Sequence, residues 1–296
     1  MSNYSERHFE TDQVAIGTFY CPVNDPVFSR AGEIDGYTIV FPRTSVTIAQ
    51  LGRRPVLADP NVVMFYNKGQ AYQRSKVSEQ GDLCDWFGFN RTAVIEAIRH
   101  VDPTVDDRWP QPFFFSHGPS DSDIYLQQRL LIHYLNESEL PDLLYVEEKA
   151  LALLQQAVLD AHAVYQTDQR KEKSSANHAD LVQAVKKLLA VHFKETWSLE
   201  KIATAVYTSP YHLSRIFRKQ TGFTIHNYLN QLRLRAALGY VAQTNSNLTE
   251  VSLELGYSSH SHFTQAFRRA FGTAPSSFRS SASTQRLSEL RKILIA

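Results

Sequence analysis

"TSPYHLSRIFRKQTG" (Thr208–Gly222) and "SSHSHFTQAFRRAFG" (Ser258–Gly272) decide how the second half of this chain is read. In the first, Leu213, Ile216 and Phe217 recur at helical spacing on one side and have to be buried. Tyr211, His212, Ser214, Arg215, Arg218 and Lys219 are left facing outward. Ser209 suits the N-cap, and Pro210 the first helical position, where a missing N–H costs nothing. The second stretch has the same layout, with Phe263 and Phe267 inward and His260, Ser261, His262, Thr264, Gln265, Arg268 and Arg269 outward.

Each stretch is the second half of a repeated unit. Ile202, Ala203, Val206 and Ser209 match Val251, Ser252, Leu255 and Ser258 at a shift of 49 residues. Leu213, Phe217, Arg218, Lys219 and Gly222 match Phe263, Phe267, Arg268, Arg269 and Gly272 at a shift of 50, so one residue has entered the second turn. A short apolar helix, a turn and an amphipathic helix with a polar outer face make a helix-turn-helix. The unit boundaries read as 199–220 and 248–271, with the longer helix "TIHNYLNQLRLRAALGYVAQ" between them.

An exposed helix about 10 to 12 Å across fits the major groove of DNA. There Arg donates two hydrogen bonds to guanine, and Ser, His and Gln reach base edges. Tyr211, His212, Ser214 and Arg215, then His260, Ser261, His262, Thr264 and Gln265, are the base-facing set. Arg218, Lys219, Arg268 and Arg269, at the helix ends, suit phosphates. A shared metal ion at His260 and His262 is not expected, because residues two apart on a helix point about 200° from each other.

Charge separates the two halves. Acidic residues outnumber basic ones by eight over residues 1–177, whereas basic residues outnumber acidic ones by nine over 178–296. Only the second half is suited to a polyanion. The polar stretch "QTDQRKEKSSANHAD" (Gln166–Asp180) has the composition of a linker between them.

Residues 10–115 alternate apolar and polar positions in short runs. "YTIVFP", "SVTIAQL", "NVVMFYN" and "AYQRSKV" read as strands separated by turns rich in Gly, Pro, Asn and Asp, giving a small antiparallel barrel or sandwich. From Asp121 the period lengthens, and "SDIYLQQRLLIHYLN" and "LLYVEEKALALLQQAVLDAHAVYQ" read as helices. The apolar stripe of the second serves packing on the barrel or a homodimer interface. Tyr37, Phe41, Tyr66, Tyr72, Cys84 and Trp86 sit on predicted strands and are the residues expected to line a ligand pocket. Arg43 is the charge nominated for an anionic ligand. Two cysteines, Cys21 and Cys84, are too few for a disulfide framework. With no apolar leader and no long apolar run, a cytoplasmic protein with no membrane contact is expected.

The last hundred residues resemble the AraC/XylS family of bacterial transcription regulators. The resemblance is carried by "LEKIATAVYTSPYHLSRIFRKQTGFTIHNYLNQLRLRAAL" and most specifically by "GYSSHSHFTQAFRRAFGTAPSSFR", with Gly272, Pro275, Phe278 and Arg279 in place. It implies two helix-turn-helix units on one long helix, both recognition helices entering one face of double-stranded DNA. Tyr207 stands where the family's first turn usually has glycine, Ser252 where alanine is usual, and Ala237 where arginine is common. Less specifically, "VVMFYNKGQAYQRS" and "GDLCDWFGF" resemble the family's cupin-like sensor. The resulting expectation is an α+β chain: a cupin-like antiparallel barrel with following helices (1–170) for effector sensing and dimerisation, a linker (171–179), and an all-α DNA-binding domain (180–281). Its partners would be DNA, a small-molecule effector, a second copy and RNA polymerase. No cofactor is implied. The cupin metal pattern of HxH and a following Glu is missing before residue 170, so a metal-dependent enzyme is not expected. The alternative is an enzyme or cysteine-based sensor fused to a DNA-targeting module, and it needs an activated Cys21 or Cys84.

Overall fold

A computed structural model describes residues 4–170, 176–242 and 247–283. The chain divides into two compact units, Met1–Glu172 and Lys173–Ala296.

The first unit is built on two antiparallel sheets. Its strands are β1 (Ser5–Glu10), β2 (Val14–Cys21), β3 (Gly32–Glu33), β4 (Tyr37–Pro42), β5 (Val46–Gln50), β6 (Val56–Ala58), β7 (Val62–Tyr66), β8 (Ala71–Lys76), β9 (Asp82–Phe89) and β10 (His117–Pro119). One sheet runs β1-β2-β9-β4-β7-β10 and the other β3-β8-β5-β6, the small antiparallel barrel or sandwich that the strand pattern calls for. Helices α1 (Arg91–Arg99), α2 (Ser122–Glu137) and α3 (Leu143–Arg170) complete the unit.

The six-stranded sheet is apolar on both faces. From β7, Val63 and Phe65 join Ile39, Phe41, Phe87, Val94, Leu131 and Leu154 in a core beneath the helices. Val62, Met64 and Tyr66 face the other way, toward Val46, Ile48 and Phe28 inside the barrel. "VVMFY" is therefore a continuous apolar run because period-two alternation fills two cores at once. Helix α3 lies so close to β10 that a side chain at Gly118 would meet Ala161.

The second unit is all helix: α4 (Ala176–Val191), α5 (Leu199–Ala205), α6 (Pro210–Thr221), α7 (Ile225–Ala242), α8 (Leu248–Glu254), α9 (His260–Phe271) and α10 (Pro275–Ser283). Val185 and Leu189 of α4, Ile202 of α5, Leu213 and Phe217 of α6 and Leu229 and Leu232 of α7 form one core. The second repeat is stapled by aromatic rings, with Phe267 at 5.7 Å from Phe263, 4.8 Å from Phe271 and 5.8 Å from Phe278. Among the described residues no helix is long and apolar enough to cross a membrane.

One expectation is corrected. Residues 91–99 form a helix inside the stretch read as strands, started by the Asn90 side chain accepting from Ala93 N. Of the linker expected at 171–179, residues 171–175 lie outside the described residues and 176–179 belong to α4, which starts at Ala176. The N-cap of α9 is Ser259, whose Oγ accepts from His262 N at 3.2 Å.

Candidate nucleic-acid interface and barrel cavity

The two repeats adopt the same local geometry. Helices α6 and α9 are each twelve residues long, each capped by a serine accepting from the N–H three residues on, and each closed by a left-handed glycine, Gly222 at φ +78° and Gly272 at φ +71°. The turns match as well. Tyr207 N donates to Thr204 O and Thr208 N to Ala203 O in the first; Gly256 N donates to Leu253 O and Tyr257 N to Ser252 O in the second. Ser252, at 0% exposure, fits a buried helix site because its hydroxyl donates to Thr249 O at 2.7 Å.

Helix α7 joins the units. Arg233 donates to the carbonyls of Phe193 and Glu195, both at 2.7 Å. Asn230 accepts from the Tyr257 hydroxyl at 2.9 Å. Lys194 reaches Glu254 at 2.6 Å and Tyr240 at 3.1 Å. The carboxylate therefore draws the α4–α5 connection onto α8, and its bond to Lys194 holds the Glu254 carboxyl below its usual range.

On α6, Tyr211, Ser214, Arg215, Arg218 and Lys219 are exposed and His212 is half-buried, its ring 5.5 Å from that of His178. On α9, Ser261, His262, Gln265, Arg268 and Arg269 are exposed and His260 is half-buried. The His262 ring lies 5.5 Å from Tyr257, which orients it. Arg215, Arg218, Lys219, Arg268 and Arg269 have no acidic partner among the described residues. Thr264 is the exception to the outward set. Its hydroxyl oxygen is buried without a hydrogen-bond partner among the described residues, because, next to Phe263 and one turn before Phe267, it sits at the edge of the buried face.

In the first unit a cavity of about 520 Å³ lies between the sheets, lined by Val40, Met64, Tyr66, Tyr72, Cys84 and Trp86 among others. Tyr66, Tyr72, Cys84 and Trp86 are thus brought together as the sequence suggests, whereas Tyr37, Phe41 and Arg43 are not. In β4 it is Thr38, Val40 and Pro42 that face the cavity. Tyr37 and Phe41 have the opposite parity. Tyr37 packs on Trp109 at 5.1 Å and donates to Pro110 O, and Phe41 meets Phe87 edge-on at 5.6 Å. Arg43 is held by Asp85 at 3.7 Å, beside Arg129.

Two functional-looking residues escape the sequence reading. Arg74 is 4% exposed and bonds Asp82 at 3.2 Å inside the barrel, with the Phe19 ring 4.8 Å from its guanidinium. Parity was the available signal: Asp82 lies two residues before Cys84 and Arg74 two after Tyr72, so each shares a face with a nominated neighbour. Burial pushes the Tyr66 and Tyr72 hydroxyls up, and burial followed by Asp82 and Asp85 pushes the Cys84 thiol well up. The cavity therefore presents neutral donors over an apolar wall, beside a paired Arg–Asp.

The second unit thus holds a capped, amphipathic helix-turn-helix twice, joined by α7, the arrangement of a helix-turn-helix DNA-binding domain. A family model described as a helix-turn-helix domain matches residues 202–281. The bifunctional transcriptional activator/DNA repair enzyme AdaA of Bacillus subtilis is 31% identical over 101 residues, covering 34% of this chain and 48% of that protein. The Msm operon regulatory protein of Streptococcus mutans is 28% identical over 170 residues, covering 56% of this chain and 58% of that protein. The chain thus spans about half the length of these two relatives. A transcriptional regulator with an AraC-type DNA-binding domain from Chromobacterium violaceum aligns over 38% of this chain and 99% of its own, at 26% identity and a TM-score of 0.34.

Proposed function

We propose that this chain is a sequence-specific DNA-binding transcription regulator, controlled by a small effector held in the amino-terminal barrel. The observation that carries it is the repeated geometry of α6 and α9: same length, same cap, same closing glycine, and five cations on exposed faces with no acidic partner among the described residues. Such helices lie in successive major-groove segments, with Arg215 reading a base and Arg268 holding a phosphate. The working domains are 1–170 for sensing and dimerisation and 180–281 for DNA. Exposed Leu143, Leu144, Leu159 and Val164 on α3 support a homodimer through that helix. Because Asp82 already neutralises Arg74, the effector that fits is apolar in body and carries no net negative charge.

Catalysis by the first unit is not part of this reading. A transfer reaction at Cys84 needs a thiolate. Burial and two nearby carboxylates keep that thiol protonated, and Cys21 is raised by burial as well.

The test is a pair of substitutions in the full chain. Arg215→Ala is expected to cost about 1–3 kcal/mol of binding and to relax preference at one base position. Arg268→Ala should weaken all sequences alike and make the slope of log K against log salt shallower by about one unit. Titrations of matched and mismatched duplexes at several salt concentrations read both. A changed site preference with an unchanged slope for Arg268→Ala would contradict the assignment of roles.

A further inference from the structure

We propose that Tyr207 is a DNA-backbone contact of the first helix-turn-helix, its phenol donating a hydrogen bond to a phosphate oxygen. The proposal rests on the DNA-binding reading above and adds a residue outside the recognition helices.

Tyr207 has φ +54° and is the only non-glycine residue with positive φ among those described. L side chains rarely adopt that conformation, and a bulky aromatic does so least readily. The residue 49 positions later, in the same turn with the same pair of backbone hydrogen bonds, is Gly256 at φ +81°. There a side chain would run into the Lys194 carbonyl and the Arg233 guanidinium, so crowding as well as backbone geometry requires glycine. The first turn keeps the left-handed backbone but is open, and Tyr207 is 97% exposed. Among the described residues the Tyr207 side chain has no hydrogen bond or ring contact to offset the strain. A strained residue whose side chain meets only solvent is the pattern of a group held for something outside the chain.

Its position says what that is. Tyr207 sits between α5 and α6, three residues before the first residue of α6, and Tyr211, 80% exposed, follows one helical turn later. In a helix-turn-helix the N-terminus of the second helix enters the groove while the first helix crosses the backbone, so the turn between them lies against a sugar–phosphate strand. A tyrosine hydroxyl is a standard donor to phosphate. Being uncharged, it adds affinity without releasing a counterion. The second unit, with glycine there, offers no such contact.

The experiment titrates the full-length chain, as wild type, Tyr207→Gly and Tyr207→Phe, against its preferred duplex and mixed-sequence duplex at several salt concentrations, with thermal midpoints measured alongside. Tyr207→Gly removes the strain and is expected to keep or raise the midpoint while weakening both duplexes about five- to tenfold. Tyr207→Phe should show the same loss, and the salt slope should stay that of wild type in both variants. Unchanged affinity in Tyr207→Gly would overturn the proposal and leave Tyr207 as tolerated strain. Full affinity in Tyr207→Phe would overturn the phosphate bond, and a changed site preference would make the residue a base reader. A wild-type chain that binds no duplex would bring down the underlying reading itself.

Discussion

Replacing Asp85 by Ala is expected to lower the stability of the amino-terminal unit by about 3–5 kcal/mol, the usual cost of removing one partner from a buried ion pair. Asp85 is fully buried on β9 and accepts from Arg129 Nη1 at 2.7 Å and from Thr18 Oγ1 at 3.2 Å, with Arg43 at 3.7 Å. Two guanidiniums share this one anion. Burial, then the charge of Arg129, already pulls Arg43 below its ordinary value. Without the carboxylate, two neighbouring cations lose the anion they share, the more buried Arg129 most severely. Asp85→Asn keeps the volume and removes the charge, so it should fall nearly as far. Urea unfolding of the full chain, followed by tryptophan fluorescence and circular dichroism, reads the loss; a change under about 1 kcal/mol, the level of an exposed pair, would contradict it. The pair also matters for control. Cys84 faces the cavity, Asp85 beside it faces the helices, and Arg129 belongs to α2. A ligand that moved β9 would be felt at α2 through this bond.

Gly256→Ala is expected to cost the second unit about 2–5 kcal/mol. About 1–2 kcal/mol comes from holding an L residue in the left-handed region. About 1–3 kcal/mol comes from forcing a methyl group into a filled space, since the Lys194 carbonyl and the Arg233 guanidinium occupy it. Arg233 has little freedom to retreat, because it holds the Phe193 and Glu195 carbonyls. The control is Gly222→Ala at the end of α6. That glycine is also left-handed, at φ +78°, but has open space around it, so only the backbone term applies. Chemical unfolding of the two variants should separate them by the packing term. Equal losses would show that the second turn is not crowded.

What the sequence disclosed follows the strength of each physical signal. The recognition helices were legible because Leu213, Ile216 and Phe217, and again Phe263 and Phe267, impose a helical period on short segments already marked by serine, proline and glycine. The strands β4, β5, β7 and β8 were legible from turn residues and alternation. Parity was not: in "YTIVFP" nearly every position is apolar, both faces are buried, and nothing local says whether Tyr37 or Thr38 faces the cavity. Helix α1 was lost inside the strand region because "TAVIEAI" is short and rich in residues that suit either element. Arg74 and Asp82 were missed because two charges eight residues apart look like a solvated surface until the barrel closes around them.

The central claim is that two recognition helices read one face of DNA. Selection of bound sites from random duplex DNA by the full-length chain tests it most directly. The account predicts an enriched site made of two short blocks about one helical turn apart, bound with an affinity that falls steeply as salt rises. Binding with no enriched sequence, or a single block with no second element a turn away, would contradict it.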